Sequence, residues 1–318
     1  LLPPAAVSAT GGRPGWAKGE GMTGYITKGI GGFYYVHTHQ GVYECRARGI
    51  FRKDKEKPLP GDLVSISVLD ETEKKGNLDE ILPRTNRLIR PAVANVDQAL
   101  VIFALVSPKP NFNLLDRFLV LMEKQGIPAL ICMNKTDLAS DEMIAEVRER
   151  YRTSGYPLLF VSAAQKEGIE AIREYLRGKT TTVAGPSGVG KSSLINLLQD
   201  GVQMQTGAVS EKIERGRHTT RHTELMWVEE DTYILDTPGF SSIELFGIEK
   251  EELGDYFPEI AAHAGDCRFR GCAHLAEPDC AVKEAVDNGE ISKGRYENYQ
   301  LFYEDLKKTA GYGRRRDT

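Results

Sequence analysis

The segment Gly185-Pro186-Ser187-Gly188-Val189-Gly190-Lys191-Ser192 follows a short apolar run, Thr181–Ala184, and opens a helix-length segment. That context lets the pattern GxxxxGK[ST] act as a phosphate loop. Its glycines allow backbone N–H groups to converge on an anion, and the helix N-terminus adds a favourable dipole. A second motif, Asn134-Lys135-Thr136-Asp137, directly follows another apolar run, Ala129–Met133. In ordinary GTP-binding domains the phosphate loop comes first and NKxD comes late. Here the order is NKTD, Ser162-Ala163-Ala164, the phosphate loop, Thr219-Thr220, then Asp236-Thr237-Pro238-Gly239. The strand-linked motifs fall at predicted strand carboxyl ends, where open parallel sheets bind ligands. One site can arise from this order only if the sheet has been cut at a different loop.

Each motif has a chemical task. Backbone groups of Gly185, Ser187, Gly188, Val189 and Gly190 are expected to cradle phosphates, with Ser193 beside them at the helix start. Lys191 should hold the β- and γ-phosphates, and the Ser192 hydroxyl should ligate Mg2+. Asp137 can accept from guanine N1–H and the 2-amino group, which adenine cannot reproduce. Asn134 can serve the O6/N7 edge, the Lys135 stem can lie along the base, and Ser162-Ala163 can offer a backbone N–H to O6. The blander role for Asp137 is a helix cap near Leu138. Asp236 can hold a magnesium-bound water, and Gly239 N–H can contact the γ-phosphate. Together these point to GTP, with GDP as product and Mg2+ as cofactor. Thr220 is the favoured switch hydroxyl to complete magnesium coordination. Phe240 stands where many GTPases carry a water-orienting glutamine, so hydrolysis needs another group, and His218 is the nearest candidate in sequence. A lone histidine more commonly caps or is solvated. Gly188 occupies the place where potassium-activated relatives carry asparagine.

The 318 residues suffice for two or three domains. No apolar run approaches the roughly 20 residues needed to span a bilayer. Residues 1–21 are rich in Ala, Gly and Pro and lack the basic-then-apolar pattern of a signal peptide. They read as an added leader, with Met22 as the natural start. The net charge of −4 is uneven. Met22 to Arg90 holds 12 Lys and Arg against 9 Asp and Glu, a balance of +3, leaving −7 for the rest. Basic stretches lie at Arg46–Lys57, Arg84–Arg90 and Arg314–Arg316, a pattern that solvated surfaces also show.

Tyr25 to Pro83 reads as short strands with turns: Gly24–Thr38, Val42–Phe51, Asp62–Leu69 and Leu78–Leu82, punctuated by glycine pairs such as Gly31-Gly32 and by Pro60-Gly61. A closed or nearly closed barrel would leave few bare edges. From Val96 the pattern alternates. Strands are predicted at Ala99–Val106, Ala129–Met133, Leu158–Val161, Thr181–Ala184, Glu224–Val228 and Tyr233–Leu235. Helices are predicted at Leu114–Gln125, Asp141–Ser154, Ile169–Arg177 and Ser192–Leu198. Past Ile248 the chain turns polar and helical, closing with Ile291–Lys308. The expected multidomain α/β architecture is a barrel over 22–92, a nucleotide-binding domain with a mostly parallel sheet over 93–247, and a helical domain over 248–318.

Three of the five cysteines crowd with a histidine into Cys267-x4-Cys272-x-His274-x5-Cys280. Three thiolates and an imidazole are the ligand set of a closed structural zinc site. Without a secretion signal, a reducing compartment and a metal fit better than disulfides. One Zn2+ would hold together a domain with little apolar core.

GPSGVGKSS, GRHTT, DTPGF, NKTD in permuted order and the Cys-Cys-His-Cys spacing together resemble one family. It is that of the circularly permuted, ribosome-small-subunit-dependent bacterial GTPases, the RsgA or YjeQ/YloQ family. The resemblance spans Met22 to about Tyr312. It implies an N-terminal RNA-binding OB-fold, a permuted GTPase core and a C-terminal zinc domain. It further implies cytoplasmic GTP hydrolysis stimulated by the 30S subunit, late in that subunit's maturation, with its rRNA as partner. No membrane partner is implied, and a monomer is the default. In this family the histidine matching His218 is assigned to catalysis, and the threonine matching Thr220 to the switch. A second reading is a GTP-dependent RNA or protein adaptor in which hydrolysis is incidental. Because the segment after DTPGF runs straight into the zinc region, nucleotide state is expected to alter the pose of both flanking domains.

Overall fold

The computed structural model describes residues 22–47, 57–88, 92–206, 223–236, 245 and 247–313. The chain divides into two compact units meeting between Asn95 and Val96.

The first unit is a closed five-stranded barrel. Its strands are β1 (Met22–Ile30), β2 (Phe33–Thr38), β3 (Gly41–Ala47), β4 (Leu63–Asp70) and β5 (Lys75–Ile81), in the order β1-β2-β3-β5-β4. Gly24–Thr38 is a hairpin that turns at Gly31-Gly32, the glycine pair that punctuates the stretch. β3 and β5 pair in parallel and close the barrel, so no edge is left bare. Ile26, Val36, Tyr43, Cys45, Val64, Ile66 and Leu78 fill the interior. Strand alternation sorts the aromatics. Tyr43 is core, whereas Phe33 and Tyr35 are half-buried with Arg46 and Lys28 over their rings, at 4.9 and 5.3 Å. Burial, and then Asp79 and Glu44, push the Cys45 thiol up to about 12, so it stays protonated. At the foot of the barrel, fully buried Asp62 takes a two-pronged ion pair from Arg84, at 2.6 and 2.7 Å. A short ribbon, β6 (Arg87–Leu88) with β7 (Val93–Ala94), ends the unit.

The second unit is built on a six-stranded sheet. Its strands are β8 (Gln98–Ala104), β9 (Ala129–Asn134), β10 (Leu158–Phe160), β11 (Thr180–Ala184), β12 (Glu224–Glu229) and β13 (Thr232–Asp236). The order is β10-β9-β8-β11-β13-β12, parallel throughout except for the antiparallel edge strand β12. Both faces of β8 are covered, and all seven of its residues are buried.

The first helices are α1 (Phe112–Lys124), α2 (Asp141–Tyr151), α3 (Ile169–Leu176) and α4 (Lys191–Thr206). Asn111 caps α1 by accepting from Leu114 N, and Ser140 caps α2 by accepting from Met143 N. Leu100, Ile102, Leu130, Val183, Leu194 and Ile195 join α3 and α4 to one sheet face. Phe103 meets Phe118 of α1 edge-on across the other. α4 continues to Thr206, beyond the predicted end at Leu198.

The C-terminal part of this unit carries α5 (Pro258–Ala264), α6 (Ala281–Asp287) and α7 (Lys293–Gly313). Its apolar core includes Leu245, Ile248, Phe257, Ile260, Val282 and Phe302 and extends to Val120 of α1. The core is larger than the sequence suggests, because α1 completes it. Beside it lies a buried ion cluster. Arg295 donates from Nε and Nη2 to Glu259, at 2.6 and 3.1 Å, and from Nη1 to Asp116, at 2.7 Å. Tyr151 and Asn298 also donate to Asp116. Burial alone would lower Arg295, but Asp116 and Glu259 outweigh it and hold its pKa well above the ordinary value. The region of the cysteine cluster is thus fastened to α1 and α2, which bears on the expectation that it changes pose. No described helix is long and apolar enough to cross a membrane.

Candidate functional site: a nucleotide pocket and a metal cluster

The permuted motifs converge in space. β9 delivers Asn134, and β11 beyond β8 delivers the phosphate loop. Asn134 is buried and ties the two together: its Nδ2 donates to Val189 O at 2.8 Å, and its Oδ1 accepts from Ala163 N at 3.0 Å. One Nδ2 hydrogen is left for a base edge. Lys135, in the left-handed conformation at φ 66°, donates to Gly188 O at 2.8 Å and to Ser107 O. Its stem therefore runs from the base motif to the phosphate motif. Asp137 is exposed, and its Oδ1 accepts from Ser162 Oγ at 2.5 Å. That hydroxyl also accepts from Gln165 N at 3.0 Å, so the carboxylate is aimed by a fixed partner.

Two loop glycines are required by close approach. A Cβ on Gly185 (φ 143°) would lie 2.1 Å from Ile102 O, and one on Gly190 (φ 95°) 2.3 Å from Asn134 Nδ2. Ser187 and Gly188 are exposed, Val189 is buried, and Ser192 and Ser193 open to solvent at the start of α4. Lys191 Nζ donates to Gly185 O and Pro186 O at 2.9 and 2.6 Å, folding back over its own loop. An arriving phosphate offers that ammonium a stronger acceptor. Burial lowers the Lys191 pKa and Asp236 opposes the shift; burial raises the Asp236 pKa and Lys191 opposes it. Asp236 ends β13 in register with Val183 of β11, the strand that leads through the phosphate loop to Lys191 at the start of α4. His218, Thr220 and Gly239 lie outside the described residues, as do Thr219, Phe240 and Phe51.

A cluster of candidate metal ligands is assembled around a loop. Ligand atoms of Cys267, Cys272, His274 and Cys280 all lie within 4.8 Å of one another. Cys267 and Cys280 sulfurs are 3.8 Å apart, and each is 3.5 Å from His274 Nδ1. No disulfide forms among the described cysteines. The shell around the cluster is ordered by hydrogen bonds. Tyr296 OH donates to His274 O at 2.5 Å, Tyr299 OH donates to Ala273 O at 2.8 Å, and the Glu277 carboxylate accepts from Ala273 N and Leu275 N. Burial pushes Glu277 up, but these and neighbouring backbone donors hold its pKa below the usual range. Such a set can hold one metal ion with every protein ligand position filled. Cys132 is separate, fully buried in β9, with its pKa pushed up to about 12 by burial.

A guanine-type base motif and a phosphate loop, brought to one end of a parallel sheet in reversed chain order, define a circularly permuted GTPase. The profile of the RsgA GTPase matches residues 81–246, and that of the RsgA N-terminal domain matches residues 23–76. The chain belongs to the RsgA family of GTP hydrolases. It is 55% identical to the small ribosomal subunit biogenesis GTPase RsgA of Agathobacter rectalis over 92% of this chain and all of that one. The protein of the same description from Caldanaerobacter subterraneus subsp. tengcongensis is 48% identical, covering 91% of this chain and 97% of its own. Among solved structures, YloQ, described as a circularly permuted GTPase, superposes with a TM-score of 0.74 at 42% identity, covering 90% of this chain and 95% of that one. YjeQ from Thermotoga maritima also gives 0.74, at 37% identity, over 89% and 98%.

The sequence did not single out Ser107, whose carbonyl anchors Lys135, or the Arg295 cluster. A buried arginine is legible only once its carboxylates, far away in sequence, are seen beside it.

Proposed function

We propose that this chain hydrolyses GTP as a factor in biogenesis of the small ribosomal subunit, binding that subunit and its rRNA as a cytoplasmic monomer. The bond from Asn134 to Val189 O carries the reading, because it joins purine and phosphate sites into one pocket. Similarity to proteins described as small ribosomal subunit biogenesis GTPases supports the partner. The positive balance of Met22 to Arg90, with cations over the outward aromatics of the barrel, supports RNA.

In the pocket, Asp137 would read guanine N1–H and the 2-amino group, held by Ser162. Asn134 and Ala163 N–H would address the O6/N7 edge. Backbone N–H groups of residues 185–190 and the start of α4, with Lys191, would hold the phosphates. Ser192 and Thr220 would hold Mg2+, with Asp236 holding one of its waters, and the ion when bound neutralises charge on the β- and γ-phosphates. His218 would orient the attacking water, and Gly239 N–H would meet the γ-phosphate.

The metal is proposed to be zinc. Zn–S of about 2.3 Å and Zn–N of about 2.05 Å in a tetrahedron give edges of about 3.8 Å between sulfurs and about 3.6 Å from sulfur to nitrogen. The 3.8 and 3.5 Å separations among Cys267, Cys280 and His274 agree with these edges to about 0.1 Å, and with Cys272 the four ligand atoms lie within 4.8 Å.

Single-turnover GTP hydrolysis with and without small subunits tests the proposal. Acceleration by small and not large subunits is expected, with cosedimentation in a non-hydrolysable analogue and release in GDP. A rate unchanged by ribosomal particles leaves an adaptor and removes the centre of this reading.

A further inference from the structure

An exposed cation outside the motifs stands at the rim of the phosphate loop. The connection from β8 to α1 is held at both ends, by Leu105 N donating to Asn134 O at 3.0 Å and by the Asn111 cap. Within it, Ser107 O and Gly188 O accept from the same Lys135 ammonium. A Cβ on Gly188 would lie 3.7 Å from Pro108 Cδ, so Pro108 rests against the loop. The next residue, Lys109, is exposed and makes no hydrogen bond or ion pair among the described residues. Pro108 and Pro110 fix φ on either side and bias Lys109 toward an extended backbone. An extended lysine side chain reaches about 6 Å from its Cα, and Lys109 directly follows the proline that touches Gly188.

The chemistry of the site has a place for such a charge. Gly188 has no side chain to recruit a monovalent cation, and Phe240 cannot orient water. During phosphoryl transfer, negative charge builds on the oxygen between the β- and γ-phosphorus atoms. A cation supplied from outside the phosphate loop stabilises it in other nucleotide hydrolases.

We infer that Lys109 is a catalytic residue of this chain, its ammonium contacting the β- and γ-phosphates of bound GTP. Water oxygen bonds to the γ-phosphorus while the bond to the bridging oxygen breaks. GDP takes the electron pair, and the water proton goes to the departing phosphate. Lys109 keeps its own proton and neutralises charge on the GDP oxygens. This rests on the hydrolase reading.

The test compares the full-length parent with Lys109→Ala and Lys109→Arg. Single-turnover hydrolysis at saturating GTP and Mg2+ is measured with the affinities for GDP and a non-hydrolysable GTP analogue. Lys109→Ala is expected to hydrolyse roughly tenfold more slowly, with GDP affinity within about twofold of the parent, and Lys109→Arg to recover most of the rate. A Lys109→Ala rate within about twofold of the parent overturns the inference, even if affinity falls. If the parent itself shows no turnover, the hydrolase reading fails separately. The analogue-to-GDP affinity ratio then decides: a ratio unchanged by Lys109→Ala overturns the phosphate contact, and a lowered ratio supports it.

Discussion

Replacing Arg295 with methionine should be among the most damaging single changes in the second unit. Its guanidinium is 1% exposed and lies over the Phe257 ring at 4.7 Å, so methionine keeps part of the volume and removes the charge. Asp116 would retain the hydroxyl of Tyr151 and the amide of Asn298, at 2.8 and 2.5 Å. Glu259 would lose both its bonds from Arg295, at 2.6 and 3.1 Å, while its side chain remains 2% exposed. Removing one partner of a buried pair costs about 3–5 kcal/mol, most of it from the stranded charge. The double variant Arg295→Met, Glu259→Leu takes away that charge too and should recover to within about 1–2 kcal/mol of the parent. Urea unfolding followed by circular dichroism, with hydrogen exchange of the α7 amides, measures both. A single-variant loss below about 1 kcal/mol, or a double variant no better than the single, refutes the view that ion pairing fastens α7 to α1.

Lys191→Ala should weaken GTP binding roughly 100-fold or more, read by nucleotide titration; parent-like affinity would remove the phosphate-loop assignment. Asp137→Asn should shift preference from guanine toward xanthine nucleotides, because the purine 2-substituent changes from donor to acceptor; competition between GDP and XDP measures it. Removing the metal with a chelator should raise hydrogen exchange at Cys267–Asp287 while leaving β8, β9 and β11 protected, and unchanged exchange there would contradict a structural ion.

The sheet was readable because its strands are short, apolar and followed directly by motif residues. The predicted Ala129–Met133 and the observed Ala129–Asn134 differ only by the motif asparagine. The barrel hairpin was legible from Gly31-Gly32, which punctuates the β-rich stretch Gly24–Thr38 where the chain turns. Spacing alone picked out the clustered Cys267, Cys272, His274 and Cys280, because they lie close together in sequence. The partners of Arg295 did not show, since Asp116 and Glu259 on helices look like ordinary surface carboxylates until tertiary packing buries them.

The strand order has a consequence for how the chain emerges during its own synthesis. Translation delivers β10, β9 and β8 before β11, so β8 waits with one unpaired edge until Thr180–Ala184 leaves the exit tunnel. Its seven residues, all buried in the finished sheet, form a sticky template during that interval. The strand carrying the NKTD motif is made before the strand carrying the phosphate loop, so the two motifs cannot meet until β11 fills the gap beside β8.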